Sequence, residues 1–436
     1  MRQLSLNSDI ELPAMPNTVK PTLRFAATGE LHVRRTRGLA TSLGAMKVTS
    51  AVNAALFLIA VFVQIFTIQY ESEGILSKFK YLVCGAGIGV GLLTMMWERT
   101  RPVMLRELGR VLSIITFFLI ITGLCVLDVG YGNSRTVIEI MLMVLPIVYA
   151  FTLINTLTFR QIDACMMVIL LASMVAYFAN LHMGVGQIVS ALLAVNPSAS
   201  YSALESSSFA GVSIALALYY LYFRRNKLGC VLSFIFVFLT FKRLAMVTVL
   251  VLLVLPRFLD CSKPVSLRTL RFTKVMIFAV SLVYFWLMTP TAASWMQTYW
   301  NFDLDSFTMG RSWRFDLLWN NPNFVNTGLG STWSFLETRY GFSLEMDIVR
   351  LLIEVTPIGV AILINNMFDL VKSNRYCFIV MLYLFFNLIT SHSLANMFSW
   401  LMYYVIFGTI IHRSAGHEAP HLLLHISAPG KKRYLH

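Results

Sequence analysis

Apolar stretches near bilayer-spanning length recur along this chain, at about 48–69, 81–97, 108–127, 137–157, 164–182, 206–223, 228–241, 244–258, 275–290, 347–368, 377–391 and 395–412. A helix needs roughly 20 residues to cross the hydrocarbon, and inside it every backbone amide must be satisfied within the segment or a closed barrel. Runs of this length and number predict an all-α, polytopic integral membrane protein of about twelve transmembrane helices. Composition points the same way. Of 436 residues, 57% are hydrophobic and 13% charged, whereas a soluble domain carries about a quarter charged residues. A soluble enzyme is excluded.

Charge then orients the spans, because Lys and Arg accumulate in cytoplasmic loops. With the N-terminus inside, only nine of the 35 Lys and Arg residues fall outside: Lys78, Lys80, Arg135, Lys242, Arg243, Arg311, Arg314, Arg339 and Arg350. Both termini are therefore expected in the cytoplasm. The net charge of +14 is an orientation signal, and no nucleic-acid partner is expected. Residues 1–47 read as a disordered basic cytoplasmic arm without the apolar core of a signal peptide. Helices 1–9 occupy 48–290, a large outward loop 291–346, helices 10–12 residues 347–412, and a cytoplasmic tail 413–436. Six cysteines lie singly, so neither disulfides nor zinc are expected.

Functional candidates are the charges that a membrane makes expensive and the polar residues of the long loop. Lys242 and Arg243 interrupt an apolar stretch. They are either a tight outward turn with snorkelling side chains or cations turned to a cavity that takes an anion. Arg350 and Glu354 raise the same question in the tenth helix: they are either charges turned to a functional cavity or a self-satisfying i,i+4 ion pair. Loops as long as 291–346 are usually functional. Within it Arg311 and Arg314 share a helix face and suit a phosphate or diphosphate, although a solvated amphipathic helix has the same pattern. Gly328 and Gly330 permit a tight turn or a close backbone approach. Trp300, Trp313 and Trp333 offer faces for sugars or anchors for the interface. His182 and His392 are the two outward histidines; His392, in the turn TSHSLAN, is either a proton acceptor or an interfacial side chain. The tail histidines do not make a metal site, and no cofactor is expected.

Four segments in order, ALESSSFAGVSIALAL, LTFKRLAMVTVLVLLVL, GRSWRFDLLWNNPNFVNTGLGS and EMDIVRLLIEVTPIG, resemble the Wzy-type polysaccharide polymerases and the related O-antigen ligases. The resemblance spans roughly 190–370 and rests on Glu205 to Phe209, Lys242 with Arg243, Gly310 with Arg311, Gly328 and Gly330, and Glu354 with Gly359. It implies a metal-independent, GT-C-like glycosyltransferase of the bacterial inner membrane, with the large loop in the periplasm. Such an enzyme joins undecaprenyl-diphosphate-linked repeat units into O-antigen, capsular or exopolysaccharide chains. Its partners would be the lipid-linked glycan donor and acceptor, membrane lipids, a chain-length regulator and a flippase. Lys242, Arg243, Arg311 and Arg314 would hold the diphosphate. The general base stays open among Asp347, Glu345, Glu205 and His392. Two positions depart from the pattern. Glu345-Met346-Asp347 stands where ligases and many polymerases carry His-Asn, which lowers the ligase reading, and Thr356 replaces the first glycine after Glu354. A transporter or flippase is the alternative of another class; it calls for broken helices or paired intramembrane charges in two repeats.

Overall fold

Side-chain oxygens begin about half of the helices, and runs of apolar residues sustain them. The computed structural model describes residues 48–69, 75–98, 101–181, 183, 186–187, 190, 206–394 and 396–413. Five long helices come first: α1 (Val48–Gln69), α2 (Ile75–Glu98), α3 (Leu105–Val129), α4 (Arg135–Thr156) and α5 (Phe159–Asn180). Next are α6 (Ser207–Phe223), α7 (Lys227–Leu239), α8 (Arg243–Val254) and α9 (Leu267–Leu287). Thr158 and Gln161 form a reciprocal capping box that starts α5, and Ser206, Asn226 and Ser266 cap α6, α7 and α9. Each cap satisfies an amide that the first helical turn leaves open.

Among the described residues every regular element is helical, and α1–α5 and α9 contain stretches long and apolar enough to cross a membrane. Their outer faces carry bare hydrocarbon: Leu93 is 67% exposed, Leu127 80%, Val175 69% and Val275 66%. Water would penalise such surfaces, whereas lipid solvates them. The fold is that of an α-helical membrane protein.

The connections sort to two ends. At one, Val103 N–H donates to Asn155 Oδ1 (2.8 Å), Arg413 to the Ile154 carbonyl (2.6 Å) and Arg224 to the Leu253 carbonyl (3.2 Å), while Val265 N–H reaches the Lys372 carbonyl (2.9 Å). Arg224, Arg225, Lys227, Arg257, Lys372 and Arg375 make this end basic. At the other, Ser206 N–H donates to the Thr240 carbonyl (3.3 Å), Asn133 to the Gly330 carbonyl (3.0 Å), and Asp347 N–H to the Ser391 carbonyl (3.4 Å).

Three boundaries differ from the hydropathy reading. The loop 291–346 is itself folded into α10 (Pro290–Trp300), α11 (Leu304–Thr308), α12 (Arg311–Trp319) and α13 (Ser331–Tyr340). Leu304, Phe315, Leu318, Leu336, Leu344 and Met346 give it a small core, closed by Met288 and Val349. The run expected from 275 begins at Leu267, because Arg268, Arg271 and Lys274 occupy the first turns of α9 and dilute its apolar signal. The run 347–368 is broken into α14 (Asp347–Glu354) and α15 (Thr356–Val371), with α16 (Arg375–Thr390) and α17 (Met397–Gly408) following. Pro357 has no N–H to give and disfavours helical backbone in the residue before it. Thr356 turns the chain at φ +66°, a conformation natural to glycine and strained by about 1 kcal/mol or more for a β-branched residue.

Candidate functional site

The turn at 391–394, the segment just before α14, the 240–242 break and the start of α12 meet at one end of the bundle around a cavity of about 480 Å³. Its walls include Lys242, Arg311, Ser343, Glu345, Asn387, Ser391, His392, Ser393, Asn396 and Ser399, with Tyr383, Trp400 and Tyr403 as the aromatic part. A Cβ on Gly211 would meet Ser399 Oγ, so α6 and α17 approach closely here and a side chain at 211 would make the Ser399 hydroxyl turn away.

His392 is held from behind. Its Nδ1 lies 2.9 Å from Asp347 Oδ1, and Asp347 Oδ2 accepts the backbone amides of Ser393 and Leu394 (2.6 Å to the latter). Trp400 Nε1 donates to the Ser393 carbonyl at 3.1 Å and pins the same turn. Asp347 is fully buried, whereas the His392 side chain keeps 24% of its surface. An ionised carboxylate only accepts, so Nδ1 carries the proton, and in the neutral imidazole the lone pair is on Nε2. The pair places an imidazole on the cavity wall with a buried carboxylate behind it, an arrangement that can take up a proton.

Behind Asp347 the charges continue into the protein. Arg350 Nη2 is 3.5 Å from Asp347 Oδ1 and its Nη1 3.2 Å from Glu139 Oε2; Arg135 Nε is 2.9 Å from Glu139 Oε1. The side chains of Arg350 and Glu139 are 1% and 2% exposed. None of the Arg350 nitrogens makes an aligned hydrogen bond, so charge rather than hydrogen-bond geometry keeps the guanidinium in place. Arg135 also lies over the Trp333 ring, 3.9 Å from its centroid.

On another part of the wall Glu345 bridges the two loop arginines, 3.6 Å from Arg311 Nη2 and 3.0 Å from Arg314 Nη1. Arg311 Nη1 donates to the Thr308 carbonyl at 3.1 Å, and its Nε is buried without a hydrogen-bond partner. Gly310, at φ +78°, turns the chain into α12 and sets Arg311 as its first residue. Lys242 and Arg311 thus give the cavity two cations, and Glu345 supplies an anion that is 45% exposed.

The remaining candidates separate cleanly. Arg243 starts α8 and is not part of the cavity wall, and Arg314 stands behind Glu345 with its guanidinium 5.0 Å from the Phe342 ring centroid. Glu205 and His182 lie outside the described residues. Gly328 and Gly330, both near φ +90°, form the turn that docks the loop on α3 and α4. There Leu329 N–H donates to Thr122 Oγ1 (3.1 Å), and Thr136 Oγ1 donates to the Leu329 carbonyl (2.7 Å). A Cβ on Gly328 would lie 2.6 Å from Thr122 Cγ2, which leaves no room for a side chain. Glu354 does not form the expected close pair with Arg350: its Oε1 takes the Thr332 hydroxyl (2.6 Å) and amide (3.0 Å). Gly359 lies where α15 packs on α3, 3.4 Å from Phe118 Cε1 by its would-be Cβ. Gly328, Gly330 and Glu354 are therefore a latch for the loop. Trp300, Trp313 and Trp333 stand off the cavity wall.

Sequence reasoning missed Glu139, Arg135 and the aromatic wall of Tyr383, Trp400 and Tyr403. Glu139 had a signal: it is an acid within the run 137–157, where ionisable residues call for a named partner. In comparisons with known proteins no family model matches the chain, and neither does any curated protein or solved structure.

Proposed function

We propose that the protein is a lipid-linked polysaccharide polymerase, a glycosyltransferase that joins undecaprenyl-diphosphate-linked repeat units. One observation carries the reading: His392, backed by Asp347, shares a single cavity with Lys242 and Arg311. A glycosyl transfer from a lipid diphosphate needs a proton acceptor and an anion clamp within one site.

The acceptor hydroxyl oxygen attacks the anomeric carbon of the donor, and its proton passes to His392 Nε2. The bond from that carbon to the diphosphate oxygen breaks, and its electron pair leaves with the lipid diphosphate. Lys242 and Arg311 stabilise the charge growing there, with Arg314 behind them through Glu345. Asp347 acts as a positioning residue: it holds the imidazole tautomer and balances the imidazolium that forms. Its own oxygens are taken up by His392 and two amides, which is why the direct-base role passes from Asp347 to His392. Tyr383, Trp400 and Tyr403 offer ring faces to sugars. In this reading the chain crosses the bacterial inner membrane twelve times in a GT-C-like arrangement. The basic end is cytoplasmic and the cavity periplasmic, supplied by a flippase and tuned by a chain-length regulator.

Deleting the protein is expected to abolish long polymer while single lipid-linked repeats persist, as read by separating the glycans by length. Normal chain length in the deletion strain contradicts the proposal, and polymer accumulating on the carrier instead points to the ligase activity. The broken α14–α15 run and the buried charges at Arg350 also favour a second reading, a transporter of the same lipid-linked glycan. Under that reading the repeats stay on the cytoplasmic leaflet in the deletion strain.

A further inference from the structure

Five groups of alternating character run from the docked loop to the cavity: Arg135, Glu139, Arg350, Asp347 and His392. Asp347 Oδ1 is contested within this chain. The His392 ring holds it at 2.9 Å and Arg350 Nη2 stands 3.5 Å away. On its other side Arg350 is closer to Glu139, at 3.2 Å. A guanidinium buried to this degree turns to whatever anion balances it, because its charge cannot be left alone in the interior. With Glu139 ionised, Arg350 is drawn toward α4 and Asp347 Oδ1 stays with the imidazole. With Glu139 neutral, Asp347 and Glu354 are the buried carboxylates left to balance Arg350, so the guanidinium competes for Asp347 Oδ1 and weakens the hold that fixes the tautomer and aim of His392.

We propose that Glu139 is a positioning residue for the transfer reaction, acting through Arg350 and Asp347 on His392. The inference rests on the reading of His392 as the base. Glu139 and His392 both lie outside the 190–370 region that carries the family resemblance, and the geometry alone links them. Arg135 completes the far end: it pairs with Glu139 while stacked on Trp333, next to the latch at Gly330, where a Cβ would lie 3.0 Å from Arg135 Cγ. Docking of the loop and aim of the base thus share one buried line of charges.

The test is a double-mutant cycle on the purified full chain in detergent, with an undecaprenyl-diphosphate-linked repeat as substrate and rates normalised to bound substrate. Glu139→Gln is expected to lower the turnover rate about 10- to 100-fold, the size typical of groups that orient a functional side chain from behind. On a His392→Gln background the same change is expected to leave the residual rate within about twofold, because the group it positions is gone. An equal loss on both backgrounds, or no loss on either, overturns the role of Glu139. Full activity of His392→Gln alone overturns the base assignment instead, so the two failures are told apart. Glu139→Asp keeps the charge but withdraws the carboxylate from Arg350, and it runs through the same cycle if the Gln variant does not accumulate. Its loss is likewise expected only where His392 is present.

Discussion

His392→Gln is expected to slow chain extension by about 10²- to 10⁴-fold, the usual contribution of a placed general base, with protein level and substrate binding unchanged. Gln keeps a donor and an acceptor at the end of the side chain but cannot take up the hydroxyl proton. The residue is held by a carboxylate that itself takes three hydrogen bonds, from the ring and from the amides of Ser393 and Leu394. A swap at 392 therefore removes the base while leaving those two amides bound to Asp347. Turnover by single-cycle conversion of lipid-linked repeat to dimer is the readout. A rate within a few fold of wild type means that the imidazole is not the proton acceptor.

Arg350→Met has the second large effect, this time on the fold. The guanidinium is 1% exposed and pairs with Glu139 and Asp347. Methionine fills much of the volume but removes the one fully buried cation among the described residues, leaving Glu139 to Arg135 and Asp347 to His392 and its two amides. Breaking a buried ion pair from one side destabilises by about 3–5 kcal/mol, a large part of the roughly 5–15 kcal/mol that holds a domain together. The variant is expected to accumulate poorly and to unfold at a clearly lower temperature in detergent. A midpoint equal to wild type contradicts the view of Arg350 as the cation on which the buried charges depend.

Much of this was legible in the sequence because a membrane makes hydrophobicity and charge unusually informative. The six long apolar helices, α1–α5 and α9, followed from apolar length, and Arg224, Arg225, Lys227, Arg257 and Lys372 lie together at one end. Lys242, Arg311, Glu345, Asp347 and His392, picked from separate segments, meet at one site: four line the cavity and Asp347 stands directly behind His392. What escaped was partner choice. Spacing along a helix suggested Arg350 with Glu354, but the nearest charges are Asp347, three residues before it, and Glu139, from a helix more than 200 positions earlier. Glu354 was drawn instead to the Thr332 hydroxyl and amide. Helix periodicity allows Asp347 with Arg350 as readily as Arg350 with Glu354, and it encodes nothing of Glu139, whose pairing depends on how helices pack. The break at Thr356 was different: Pro357 announced it, and the run was read through because its hydropathy continues on both sides.

The most direct test of the account is reconstitution of the purified protein in liposomes with one substrate, an undecaprenyl-diphosphate-linked repeat unit, and nothing else. A ladder of longer lipid-linked glycans is expected, with one molecule of undecaprenyl diphosphate released for each linkage formed. Repeats that only change leaflet, with no new linkage and no released lipid diphosphate, contradict it.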